Sequence, residues 1–222
     1  MKQFRLHHDN VNSQLKRIIT ITDSVFAVAL TLLVIDIKLP EISSPTDNIL
    51  WNSLKDLKWT ILGFIISFFI VGYYWSVHHR IFGYVIKYTN RLLWINLMFL
   101  FTVILLPFTS GLLGKFAFNI NLLLPYGLYV FNICLTALMN SIMWFYVSNP
   151  KNKLLTYEIS KERILLGFYF TLVVPLIFII SFLISFINPF IGRLIPIIIP
   201  FVLKYGLIGL TNRALKKENE NQ

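Results

Sequence analysis

The sequence predicts an all-α membrane protein with six transmembrane helices per chain and both termini cytoplasmic. Three observations carry this. First, 56% of its 222 residues are hydrophobic, only 14% are charged, and the mean hydropathy is +0.70. A soluble domain carries roughly 45–50% apolar and about 25% charged residues. Second, six stretches approach the length of about 20 apolar residues that a spanning helix needs. Third, an even number of spans puts both ends on one side, and lysine and arginine mark that side. Fourteen of them fall on the segments assigned to the cytoplasm and five on the segments outside, with Lys204 left within the sixth span.

The spans follow in order. Residues 18–37 form the first, which carries Asp23 and Asp36. Residues 59–78 are uncharged and run into His78-His79-Arg80. Residues 92–114 are uncharged between Arg91 and Lys115. The next uncharged stretch is too long for one helix; Pro125 suits a first helical turn, so the span is placed at 125–147. The fifth is 164–186, with Pro175 inside it. The sixth is 189–210 and contains Pro196, Pro200 and Lys204. Residues 40–58 read as an external loop bearing Ser, Pro and Asp, and 216–222 as a polar tail. The chain reads as one membrane domain over 1–222, with too little outside the bilayer for a separate catalytic core.

Several classes fall away. The composition opposes an ordinary soluble globule, a disordered tail, a disulfide-rich module and a collagen-like fibre. Cys134 is the lone cysteine, which excludes an intrachain disulfide and a site built on several thiolates. The net charge of +10 belongs to basic cytoplasmic loops and needs no nucleic acid to explain it. The first span is too long for a signal-peptide core, carries two carboxylates and is followed by no small-x-small cleavage site, so it reads as retained. His78 and His79 point about 100° apart on a helix, and no His-x-x-x-His or Glu-x-x-His pair lies in the spans; no metal or other cofactor is expected.

The first span differs from the rest. It carries hydroxyls at Thr20, Thr22, Ser24 and Thr31, small residues at Ala27 and Ala29, and a carboxylate at Asp23. Ionisable groups inside a bilayer are expensive and face a partner or water. At about 100° per residue, Val28, Thr31, Leu32 and Ile35 share one stripe, which Ser24 and Ile21 extend, while Asp23 points away from it. Alone, such a stripe is ordinary packing and a buried aspartate is often structural. Together on one short helix they point to a face lining a narrow passage. Arg17 and Asp23 are six apart, poor spacing for a pair on one helix, so a bridging group from a neighbouring span is expected, with His78, His79 and Asn96 as candidates.

Residues Arg17-Ile-Ile-Thr-Ile-Thr-Asp23 match an Arg-x-x-x-Phe-Ser-Asp signature, with Ile21 in place of the aromatic and Thr22 in place of serine. Tyr74-Trp-Ser-Val-His78-His79-Arg80, Leu93-Trp-Ile-Asn96-Leu97 and Leu106-Pro107-Phe108 follow in order. On these residues the chain resembles the prokaryotic branch of the transmembrane protein 175 family, over roughly residues 14–115. The resemblance implies a potassium-permeable channel at the cell membrane, a homotetramer whose first helices line a central pore. By position it implies constriction rings at Val28, Leu32 and Ile35, with Val28 smaller than the usual family residue, and Thr31 and Ser24 on the pore wall. Arg17, Thr22, Asp23, His78 and Asn96 would form the network that sets the first helix. Potassium ions, the lipid bilayer and further copies of the chain are the implied partners.

Other readings stay open. Val71-Gly72-Tyr73 is like part of the Thr-Val-Gly-Tyr-Gly filter of ordinary potassium channels, but it lies in an uncharged span with no re-entrant segment around it. Asp23, His78, His79 and Lys204 are groups a proton pathway or secondary transporter would use, although inverted repeats are not evident. A non-conducting scaffold would turn Val28, Leu32 and Ile35 to lipid or protein. Asp36 at the outer end of the first span would either gather cations or sit as a solvated interfacial charge.

Overall fold

The computed structural model describes residues 2–35, 37, 46–117, 119–155 and 159–205, with side chains from residue 13 onward. Helices dominate: α1 (Lys2–Ile35), α2 (Asp47–Asp56), α3 (Lys58–Gly83), α4 (Asn90–Lys115), α5 (Leu123–Ser148), α6 (Lys161–Ser185) and α7 (Pro189–Leu194). Five of them, with α1 counted from Ser13 to Ile35, are long and apolar enough to cross a membrane.

Local chemistry sets the helix starts. Thr46, Thr89, Ser160 and Asn188 are extended residues whose side chains accept backbone N–H bonds from the first turns of α2, α4, α6 and α7. That is the N-cap arrangement, which satisfies donors a helix start would otherwise leave unpaired. Pro125 sits in the first turn of α5 and Pro189 opens α7.

The helix α4 is the centre of the bundle: α1, α3 and α5 all pack on it, α6 packs on α5, and α7 on α6. Its buried residues Leu92, Asn96, Phe99, Leu100, Val103, Leu106 and Pro107 recur at helical spacing. Two glycines permit close approach. A side chain at Gly167 would overlap the Trp144 ring, and one at Gly192 would overlap Ser185. The loops at one end are tied by a bridge between Val85 and Leu155. Outward faces of α4, α5 and α6 carry exposed Phe101, Phe108, Phe131, Phe145, Leu176 and Leu183. Contiguous apolar surface of that kind is what a lipid-facing bundle presents.

Two expectations change. Residues 47–56, within the segment expected as an external loop, are helical: Thr46 caps them, Asp47 complements the helix start and Lys55 the end. The first helix also begins far ahead of residue 18, so an apolar span continues a polar N-terminal extension without a break. The other four long spans agree with the sequence to within a few residues. In the sixth, Ile195–Ile198 is a 3₁₀ turn between α7 and helical residues 199–205. Proline removes the backbone donor an α-helix needs, and Pro196 stands at this point. Asp36, Lys38 and residues 206–222 lie outside the described residues.

Candidate functional site

The helix α1 has two unlike faces. Leu15, Ile18, Thr22, Phe26, Ala29 and Leu33 are all buried, within a sector of about 80° on the helix wheel. Phe26, Ala29 and Leu33 keep only 1–2% of their surface accessible. Against them lie α3 and α4. On the other side Ile21, Ser24, Val28, Thr31, Leu32 and Ile35 fall within about 100° of one another and are exposed. Val28 is 56%, Leu32 39% and Ile35 67% accessible. No other described element of the chain covers them.

The buried face is fixed by a short polar chain inside the membrane-spanning part. The Asn96 side-chain amide donates to Thr22 Oγ1 at 3.0 Å, and its carbonyl oxygen meets His78 Nε2 at 2.8 Å. With the amide N–H turned to Thr22, the oxygen is left to accept, so His78 carries its proton on Nε2. All three residues are buried. The imidazole is stacked on Phe99, at 5.5 Å and 5°, and on Phe82, at 4.3 Å and 23°, with Phe26 beside it. One residue each from α1, α3 and α4 thus meet at one point, which sets both the rotation and the height of α1.

Asp23 stands outside this chain. Its carboxylate Oδ1 accepts from the Trp75 indole N–H at 2.9 Å, and the Trp75 ring lies 5.8 Å from His79. Arg17 is exposed and, among the described residues, pairs with neither Asp23 nor the polar chain. The structure therefore joins Thr22, His78 and Asn96, hands Asp23 to Trp75, and leaves Arg17 apart. Trp75 is the member that sequence reading missed. Its signal was available: an indole N–H within a span needs an acceptor, and Asp23 is a charged group at the same end of the bundle.

The hydroxyls on the exposed face have a particular orientation. Thr31 donates to the Val28 carbonyl at 2.8 Å and Ser24 to the Thr20 carbonyl at 2.9 Å. Each hydroxyl proton is turned back into the helix, so the oxygen lone pairs face outward. Such oxygens suit a cation and carry no net charge. The exposed face therefore alternates branched apolar side chains with outward-facing oxygen acceptors. Val71-Gly72-Tyr73 lies in the middle of α3 as regular helix. Among the described residues no group of three or more His, Cys, Asp or Glu is placed to hold a metal.

Residues 17–107 match the family model described as the endosomal/lysosomal potassium channel TMEM175. A potassium channel of Chryseobacterium sp. (strain P1-3) is 35% identical over 155 residues, which are 69% of this chain and 78% of that one. The crystal structure of a lysosomal potassium-selective channel TMEM175 homolog from Chamaesiphon minutus superposes with a TM-score of 0.70 at 25% identity, covering 86% of this chain and 98% of that chain. The endosomal/lysosomal proton channel TMEM175 of Danio rerio is 33% identical over 115 residues, 49% of this chain but 21% of that longer protein.

Proposed function

The chain belongs to the TMEM175 potassium-channel family, and on that premise we propose that it is a potassium-permeable cation channel of the cell membrane, without a conventional filter and with a hydrophobic constriction formed by α1. One observation carries this reading: α1 is locked to its own bundle along one face, while the face bearing Ile21, Ser24, Val28, Thr31, Leu32 and Ile35 is uncovered. One helix cannot enclose a pore, so several copies are needed; a homotetramer, its termini cytoplasmic, sets four α1 helices around an axis. The whole of 1–222 acts as one channel unit.

In that arrangement Val28, Leu32 and Ile35 form successive apolar rings. A narrow apolar ring empties of water when constricted and so acts as a gate. Between them Thr31, and deeper Ser24, present neutral oxygens that hold a cation weakly enough for it to leave. The Thr22–Asn96–His78 chain holds the rings in register from behind. Arg17 and Asp23 lie off the conducting face and serve packing and assembly.

The test is ion flux through purified protein in liposomes, under a potassium gradient and then a sodium gradient. Potassium flux exceeds sodium flux, and Leu32→Asn or Ile35→Asn raises it about threefold or more by wetting the constriction. Permeation unchanged by both variants contradicts the pore assignment. A proton-permeable pore is the second reading, favoured by the name of the Danio rerio relative. It predicts that a pH gradient alone collapses through the wild-type protein faster than potassium moves.

A further inference from the structure

At the end of the bundle where α3 begins and α4 ends lies a cavity of about 320 Å³. Its walls come from α1, α3, α4, α5, α6 and α7 and are mostly apolar, with Leu33, Leu62, Phe64, Leu113 and Phe178 among them. Its deep end reaches Ser110 and Tyr129, whose hydroxyls share Ser67 Oγ at 2.8 Å each, so that end is already satisfied. A Cβ added at Gly63, which lines the chamber, meets nothing within 4 Å.

One charge lines this cavity, that of Arg193. Its Nη2 donates to the Leu122 carbonyl at 2.9 Å, and the guanidinium lies 5.7 Å from the Tyr126 ring. Its Nε is buried and has no hydrogen-bond partner. No carboxylate pairs with it among the described residues. A partly desolvated guanidinium with an idle donor is costly unless an anion meets it. Trp59 and Phe190 stand edge-to-face, 5.9 Å apart, among the lining residues, and Lys58 and Lys115 mark the same end of the bundle as the membrane boundary. The chamber therefore combines an apolar interior, a satisfied deep end and a cation with one idle donor at interfacial depth.

We propose that this cavity binds an anionic phospholipid, with an acyl chain in the apolar chamber and the phosphate on Arg193. Charge complementarity selects the occupant: an uncharged hydrocarbon leaves Nε idle, and a free anion leaves the apolar walls uncovered. Leu33 reaches it from the locked face of α1, so the site is separate from the exposed stripe of Val28, Leu32 and Ile35 and does not depend on ion conduction.

Native mass spectrometry of the purified oligomer tests this, with dioleoyl-phosphatidylglycerol and dioleoyl-phosphatidylcholine added at equal excess. The wild type retains about one phosphatidylglycerol per chain, at roughly fivefold preference over phosphatidylcholine. Arg193→Gln loses the preference and Arg193→Lys keeps most of it, which separates charge from folding. Gly63→Leu fills the chamber and lowers retention of both lipids. Equal retention of the two lipids by the wild type overturns the proposal. So does an undiminished preference in Arg193→Gln, which places the lipid on the general basic surface. A change of oligomeric mass in Gly63→Leu with lipid retention intact also overturns it, since a second copy would then occupy the chamber.

Discussion

The two faces of α1 are made from nearly the same residue types and have opposite fates. Leucines, isoleucines and threonines occur on both sides, yet one side is closed over by α3 and α4 and the other is bare. Hydrophobicity does not separate them. What separates them is where polar partners and small residues stand. Thr22 finds Asn96 across the helix interface, and Ala29 lets the backbones approach. Thr31 and Ser24 find only their own helix carbonyls. A hydroxyl that bonds to another helix fixes position, whereas one that bonds to its own backbone keeps its lone pairs for something outside the chain. A membrane helix can thus spend its packing on one side and leave the other uncovered within its own chain.

The contrast is broken most severely on the locked side. Phe26→Ala removes a ring that sits 5.9 Å from Phe99 and is almost wholly buried, and should destabilise the folded chain by about 3–5 kcal/mol. The matching Leu32→Ala on the bare face should cost under about 1 kcal/mol. Denaturant melts in detergent check both, and equal costs would erase the distinction. Asn96→Leu comes next: it strands Thr22 and His78 without partners, for about 1–3 kcal/mol. Adding His78→Phe should recover part of that loss, because removing both partners is milder than orphaning one. Asp23→Asn keeps an oxygen for the Trp75 indole and loses only its charge, about 1 kcal/mol. It should weaken the oligomer on size exclusion more than it alters ion preference; a stable oligomer with changed selectivity would contradict the packing role. The smallest structural effect belongs to Thr31→Val, which preserves shape and removes the outward oxygen. Stability should move by about 0.5 kcal/mol or less, while potassium flux in liposomes falls.

Much of this architecture was legible in the residues, and the exceptions have physical causes. Uncharged runs of spanning length announced the long helices, and Pro125 announced the start of α5. The bare stripe of α1 was visible as spacing alone, since 28, 31, 32 and 35 share a side of any α-helix. The helix α2 was hidden because Ser43, Ser44 and Pro45 lead into it and read as loop, although Thr46 and Asp47 carried a start signal. The partner of Asp23 was hidden because it comes from α3, and which residue of a neighbouring helix lies at a given depth is fixed by packing rather than by any local pattern. The cavity beside Arg193 drew on six helices and left no mark in any one of them.

The central claim is that the bare face of α1 lines a water-filled path, and cysteine accessibility tests it most directly. With Cys134 replaced, single cysteines are placed at 28, 32 and 35 on the bare face and at 29 and 33 on the locked face, and the liposomes are treated with a membrane-impermeant thiol reagent during potassium flux. Modification that blocks flux at 28, 32 and 35 while sparing 29 and 33 is the predicted result. Inert cysteines at 28, 32 and 35 in a conducting protein would put that face against lipid or protein and contradict the account.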